Sequence, residues 1–170
     1  MTLIEEENFR LLTSMDFIHR SRGNIEKAPR LGRIVEQFEK ISYWAATEIC
    51  MCYDLPARVT MLKRFLHIAK MCWDWNNFST CMAICAALNM ASVTRLILTW
   101  QGLDSEFRKI WDFLKEKTSH EDYFINYRKA ALGCRGPGIP FSGAHTSLAF
   151  MCNERHKDPQ PGMYSVKKLR

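Results

Sequence analysis

Valine is scarce in this chain, with four residues in 170. No stretch alternates apolar and polar side chains over the length of a strand, so the sequence offers little from which to build a sheet. No apolar run approaches the roughly 20 residues that a membrane span requires. The N-terminus reads Glu5-Glu6-Glu7 and lacks the basic and apolar regions of a secretory signal. Signatures of catalysis are missing as well. There is no phosphate-cradling Gly-x-x-x-x-Gly-Lys-Ser/Thr, no Gly-x-Ser-x-Gly elbow and no His-Glu-x-x-His. His19, His67, His120, His145 and His156 are scattered. The seven cysteines contain no Cys-x-x-Cys pair, and no His stands at ligand spacing from them. They read as buried free thiols of a reducing compartment rather than as a disulfide framework or a metal site.

What is present favours helix. Leu, Met, Ala, Lys, Arg and Glu are plentiful, and 47% of the residues are apolar, enough for one domain with a sizeable core. Ile34, Phe38, Ile41, Ala45 and Ile49 fall on one helical stripe. Val59, Leu62, Phe65, Leu66, Ala69 and Cys72 form a second, after Pro56. Residues 78–88 are almost all apolar or small, as in a helix surrounded by others. Phe107, Ile110, Trp111 and Leu114 make a further stripe opened by a cap at Asp104 or Ser105. Phe124, Tyr127 and Leu132 close before Gly133, a natural stop. An N-terminal helix from about Ile4 to Ile18 completes the set. The stretches "RGNIEKAPRLG" (22–32), "CRGPGIP" (134–140) and "HKDPQPG" (156–162) read as loops. The closing "MYSVKKLR" reads as the start of a helix. The expected fold is a single all-α domain of about seven helices.

The net charge is +6, and residues 155–170 supply +4 of it, with Arg155, Lys157, Lys167, Lys168 and Arg170 against Asp158. That tail reads first as a solvated basic end, and otherwise as an attraction to an acidic partner or an anionic membrane surface. Nucleic acid is disfavoured. RNA-recognition aromatics and zinc-finger spacings are both absent.

One stretch departs from ordinary core sequence. In "ALNMASVTRLILTW" (87–100) Leu88 ends a buried helix, Asn89 suits a left-handed stop, and Ser92 suits the cap of a helix over Val93–Trp100. The longer segment "RVTMLKRFLHIAKMCWDWNNFSTCMAICAALNMASVTRLILTW" (58–100) resembles the core of the catalytic domain of Ras-type guanine-nucleotide exchange factors. The likeness rests on Arg58, Phe65-Leu66-His67-Ile68-Ala69, Cys72, Asn76-Asn77-Phe78, Ala83-Ile84, Leu88-Asn89, Arg95-Leu96 and Thr99-Trp100. The flanks agree: "TLIEEENF" (2–9), "QFEKISYWAATEI" (37–49), "NYRKAAL" (126–132) and "GIPFSG" (138–143) are similar to family segments. The likeness covers essentially residues 1–170. The family domain continues for several more helices, so the chain is expected to be C-terminally incomplete, ending at the start of a second hairpin helix.

The resemblance implies an exchange factor for a Ras-like small GTPase, with no cofactor, no metal and no covalent chemistry. The family inserts a helical hairpin into the GTPase and displaces a switch loop. The first hairpin helix falls on about Phe141 to His156. Aligned without a gap from Pro140, the family's carboxylate falls on Glu154 and its apolar wedge on Phe150; a one-residue gap would move the carboxylate position to Asn153. The resemblance carries further GTPase contacts onto Asn89, Phe124, Phe141, Thr94 and His19. Thr94 and His19 stand where the family has aromatic residues. It makes Arg95 an inward, ion-paired structural residue, and places Arg58, Asn77 and Trp100 in the framework. The family's "R-F-N" becomes Gln37-Phe38-Glu39. Such departures gather on the GTPase-facing surface, which leaves open a degenerate member that binds a GTPase or another protein without catalysing exchange. A cytoplasmic protein is implied, with recruitment to the inner face of the plasma membrane through the basic tail or further domains.

Overall fold

The computed structural model describes residues 2–155, and over them the chain is all-α. Ten α-helices follow in order: α1 (Thr2–Arg10), α2 (Ser14–Ser21), α3 (Pro29–Cys50), α4 (Leu55–Asp74), α5 (Phe78–Leu88), α6 (Ala91–Thr94), α7 (Ile97–Gln101), α8 (Ser105–Lys117), α9 (Ile125–Gly133) and α10 (Ser142–Arg155). A 3₁₀ turn, Ile25–Lys27, precedes α3. The β-structure among the described residues is one isolated bridge between Asn77 and Ile139. None of the described helices is long and apolar enough to cross a membrane. The basic end and the helix start expected over 156–170 lie outside the described residues.

The larger of two structural units, Glu36–Pro140, is built around α5. Its residues Cys81, Ala83, Ile84, Ala87 and Leu88 are almost wholly excluded from solvent, which is why nearly every position there is apolar or small. The stripe of α4 packs beside it, with Leu62, Leu66 and Ala69 fully buried. From α3, Ile41, Ala45 and Ile49 are buried, and the Ser42 hydroxyl donates to the Ala83 carbonyl at 2.9 Å. Helix α8 begins as its sequence predicts, with the Asp104 carboxylate accepting from the Phe107 amide at 3.1 Å. Lys63 reaches across to the same carboxylate at 2.6 Å.

The other unit comprises, among the described residues, Leu3–Val35 and residues 141–155, and within it α10 packs on α2. Here the N-terminal helix expected from Ile4 to Ile18 is two helices. Thr13 interrupts it, because its amide and hydroxyl both donate to Asp16, at 2.9 and 2.7 Å, and start a new helix. Burial pushes the Asp16 carboxyl up, but the Thr13 bonds and nearby Arg30 outweigh it and hold the group below its usual range. The loop expected over 22–32 is shorter than that, since Pro29 opens α3 at a position where a missing amide costs nothing.

Three further expectations are corrected. The helix expected over Val93–Trp100 is broken at Leu96. Leu132, placed on a buried stripe by spacing, is 89% exposed. Of the cysteines, Cys81 and Cys85 are buried, whereas Cys50 is exposed and the others are intermediate. The Cys85 thiol and burial push the Cys81 thiol well up, which keeps it protonated and unreactive.

Candidate functional site

In the larger unit the candidate residues gather around the corner between α5 and α7. Asn89 is exposed. Its backbone stays right-handed, at φ −87° and ψ −5°, so it is not the left-handed stop that its sequence suggests. Instead its Nδ2 donates to the Cys85 carbonyl at 3.0 Å. The side chain thereby adds a second donor to a carbonyl that already accepts from the Asn89 backbone amide at 3.1 Å. The amide oxygen has no hydrogen bond among the described residues.

Past Asn89 the chain turns through Met90, whose carbonyl accepts from the Val93 and Thr94 amides at 2.9 Å each. Ser92 therefore sits inside α6 and caps nothing. Val93 is the buried plug of the corner, at 1% exposure. Leu96 then adopts φ −78°, ψ 62° while the Ile97 amide donates to the Arg95 carbonyl at 2.9 Å. That is an inverse γ-turn, and it separates α6 from α7. The Trp100 indole closes the corner by donating to the Val93 carbonyl at 3.0 Å. Trp100 lies against Trp111, ring centres 5.2 Å apart. Arg58 braces α7 from beneath, donating to Thr99 Oγ1 and to the Cys52 carbonyl, both at 2.9 Å.

Thr94 and Arg95 are both exposed. Arg95 is thus not the inward residue expected, and it forms no ion pair among the described residues. The framework function assigned to it is carried by Arg58 and by the Trp100 indole. Thr94, Ile97, Trp100 and Trp111 line an open groove of about 400 Å³. No spacing rule in the sequence marks that groove, because it depends on the break at Leu96.

Phe124 also departs from expectation. It is 7% exposed, with its ring 4.6 Å from that of His120, so little of it remains for a partner. Its backbone is left-handed, as are those of Asp122 and Tyr123, with φ of 62°, 44° and 54°. Each such residue costs about 1–2 kcal/mol. Arg128 holds the turn by donating to the carbonyls of Tyr123 (3.0 Å) and Asp122 (2.8 Å), and Asn126 ties α9 to the Glu116 carbonyl at 2.9 Å. The Asn and Arg of "NYR" are therefore clamps on a strained turn.

The smaller unit carries the remaining candidates. Ser142 and Ala144 of α10 are buried. The Phe141 ring folds over Gly143, where an added Cβ would collide with ring carbons. A small residue at 143 is what lets Phe141 lie across the helix start. Farther along, Phe150 is 53% exposed and Glu154 is exposed. Four residues apart, they project from the same face of α10. Asn153, the alternative carboxylate position, is half-buried, as is His19 on α2.

His145 is exposed but packs edge-on against Phe17, ring centres 6.0 Å apart, and partial desolvation there lowers its imidazole below the usual range. The neutral form is thus favoured when folded. The stability this gives is present above the unfolded value of about 6.5 and is lost as pH falls through the folded value. Melting at pH 5 is accordingly expected to be lower than at pH 7.5, with a smaller gap in His145→Gln. An identical gap in the variant would show that His145 has no part in it.

Comparison with known proteins identifies the family of the sequence. The model of the RasGEF domain matches residues 1–170. The chain is 30% identical to Ras guanine nucleotide exchange factor Q of Dictyostelium discoideum, over 100% of this chain and 13% of that protein. It is 32% identical to human Ras guanyl-releasing protein 3, over 85% of this chain and 21% of that protein. With mouse Rap guanine nucleotide exchange factor 5 it shares 34% identity, over 90% of this chain and 19% of the relative. The chain spans about a fifth or less of the length of these relatives. It belongs to the RasGEF domain family.

Proposed function

We propose, from membership of the RasGEF family, that this chain promotes GDP release from a Ras-like small GTPase. Such a factor makes and breaks no covalent bond. It binds the nucleotide-free GTPase best, and by linkage it weakens nucleotide binding to the same extent. In this reading α10 enters the nucleotide site. Phe150 supplies the apolar wedge, and the Glu154 carboxylate takes over donors that had held a phosphate. Asn89 meets the switch region from its exposed corner, while Thr94, Phe141 and His19 border the contact. The observation that carries the reading is the exposure of a large apolar ring and a carboxylate on one face of α10. A helix whose sole task was core packing would have no use for that pair.

The test is release of a fluorescent GDP analogue from a panel of Ras-family GTPases. Acceleration of at least one is expected. No acceleration of any would overturn the exchange reading. Asn89→Ala is expected to slow the accelerated release about three- to tenfold, as for loss of one hydrogen bond, and to lower the melting temperature by about 2–4 °C through loss of the bond to the Cys85 carbonyl. If neither release nor GTPase binding changes, Asn89 has no part in the contact.

A binding-only member is favoured by one observation. Phe124 is buried at a position where the family presents an aromatic contact, and Thr94 is too short to replace the family's other one. Capture of nucleotide-free GTPase without accelerated release would establish that reading.

A further inference from the structure

Between Arg20 and Arg33 the chain carries five cations, Arg20, Arg22, Lys27, Arg30 and Arg33, against Glu26 alone. Several cations elsewhere are matched by acids: Lys40, Lys63, Lys70, Lys115 and Lys117 each have a carboxylate within 3.0 Å. Arg20, Lys27 and Arg33 form no ion pair among the described residues, and Lys27, Arg30 and Arg33 are exposed. Asp16 is buried, accepts from Thr13 and has Arg30 nearby, and Glu36 is paired with Lys40 at 2.7 Å. The charges of Lys27 and Arg33 are therefore left facing solvent.

Two apolar side chains stand in the same frame. Ile25, in the 3₁₀ turn, is 55% exposed, and Leu11, in the turn between α1 and α2, is 53% exposed. The folding of the chain draws these turns onto one edge. Arg30 donates to the Leu11 carbonyl at 3.0 Å, and the Asn24 amide donates to the His19 carbonyl at 2.9 Å. Exposed apolar side chains on turns, with exposed cations close by in the chain, are what a peripheral lipid-binding surface presents. The tips enter the headgroup boundary while the cations meet anionic lipid. An acidic protein partner would use the cations but has no evident need of two protruding aliphatic tips. Nucleic acid would want aromatic rings for stacking, and residues 20–33 contain none.

We propose that this edge, formed by the end of α2, the 3₁₀ turn and the first turns of α3, docks the chain on an anionic lipid surface. The proposal is independent of whether the chain catalyses exchange. The experiment is sedimentation of the 170-residue chain with phosphatidylcholine vesicles, with and without 30% phosphatidylserine, in low salt. Phosphatidylserine-dependent binding is expected, and 0.5 M salt should abolish it. The double variant Lys27→Glu, Arg33→Glu should bind at least tenfold more weakly. Ile25→Ser, with unchanged charge, should bind about fivefold more weakly. Melting curves of both variants should match the parent. A companion variant, Lys167→Gln, Lys168→Gln, Arg170→Gln, distinguishes this edge from the basic tail and should retain most of the binding. Absence of phosphatidylserine-dependent binding would overturn the proposal. So would binding that survives the double variant and disappears with the tail charges.

Discussion

Asn77→Ala is expected to lower the melting temperature by about 6–12 °C, from a loss of about 3 kcal/mol at 2–4 °C per kcal/mol for a chain of this size. Asn77 is 5% exposed and caps α5, its Oδ1 accepting from the Thr80 amide at 3.0 Å. Losing a cap costs about 1 kcal/mol. Here the loss leaves the Thr80 amide buried without an acceptor, which raises the cost to about 3 kcal/mol. The position is also a junction. The Asn77 amide donates to the Cys72 carbonyl at 2.8 Å, closing the end of α4. The neighbouring Phe78 amide donates to the Ile139 carbonyl at 3.0 Å, and the Ile139 amide returns to the Asn76 carbonyl at 2.9 Å. Gly138 makes this crossing possible, since a Cβ there would lie 2.9 Å from that of Asn76. Asn77→Asp keeps an acceptor at the cap and should recover most of the loss. An Asn77→Ala chain melting within 2 °C of the parent would show that the cap is dispensable.

This junction also shows what a sequence can and cannot reveal. The stripes of α3 and α4 are legible because burial repeats at helical spacing, and Ile41, Ala45, Ile49, Leu62, Leu66 and Ala69 all lie inside. The Asp104 cap is legible because its bond spans three residues. "N-N-F" and "G-I-P" are each visible as motifs, but their crossing joins residues 61 apart or more and has no local signal. The breaks fail for the same reason. Leu96 leaves the helix where an indole four residues on, at Trp100, takes the Val93 carbonyl. Three successive left-handed residues before α9 run against every local preference; the Arg128 guanidinium holds them from the next helix. At the candidate site, spacing places Phe150 and Glu154 on one helix face, and the structure exposes both. It could not foresee that Arg95 would face solvent or that Phe124 would face the core.

The largest functional effect is expected on α10. Phe150→Ala should slow the GDP release that this domain accelerates by about 10- to 100-fold, as for the loss of a fully buried aromatic contact. Phe150 is 53% exposed in the free chain, so its removal should change folding stability by no more than about 0.5 kcal/mol. A large kinetic loss without a stability loss would identify it as a partner contact rather than a packing residue. Glu154→Ala should produce a comparable slowing if its carboxylate accepts charge-assisted bonds in the nucleotide-free complex, each worth about 1.5–3 kcal/mol. Glu154→Gln keeps the shape, removes the charge and should recover little. Asn153→Ala decides between the two registers of the hairpin helix. Asn153 is half-buried, whereas Glu154 is exposed, so the Asn153 variant should affect melting more than release. The reverse pattern, with release lost in Asn153→Ala and retained in Glu154→Ala, would shift the register by one residue. Retention of release in all three single variants would remove α10 from the exchange mechanism and leave exchange to contacts elsewhere in the domain.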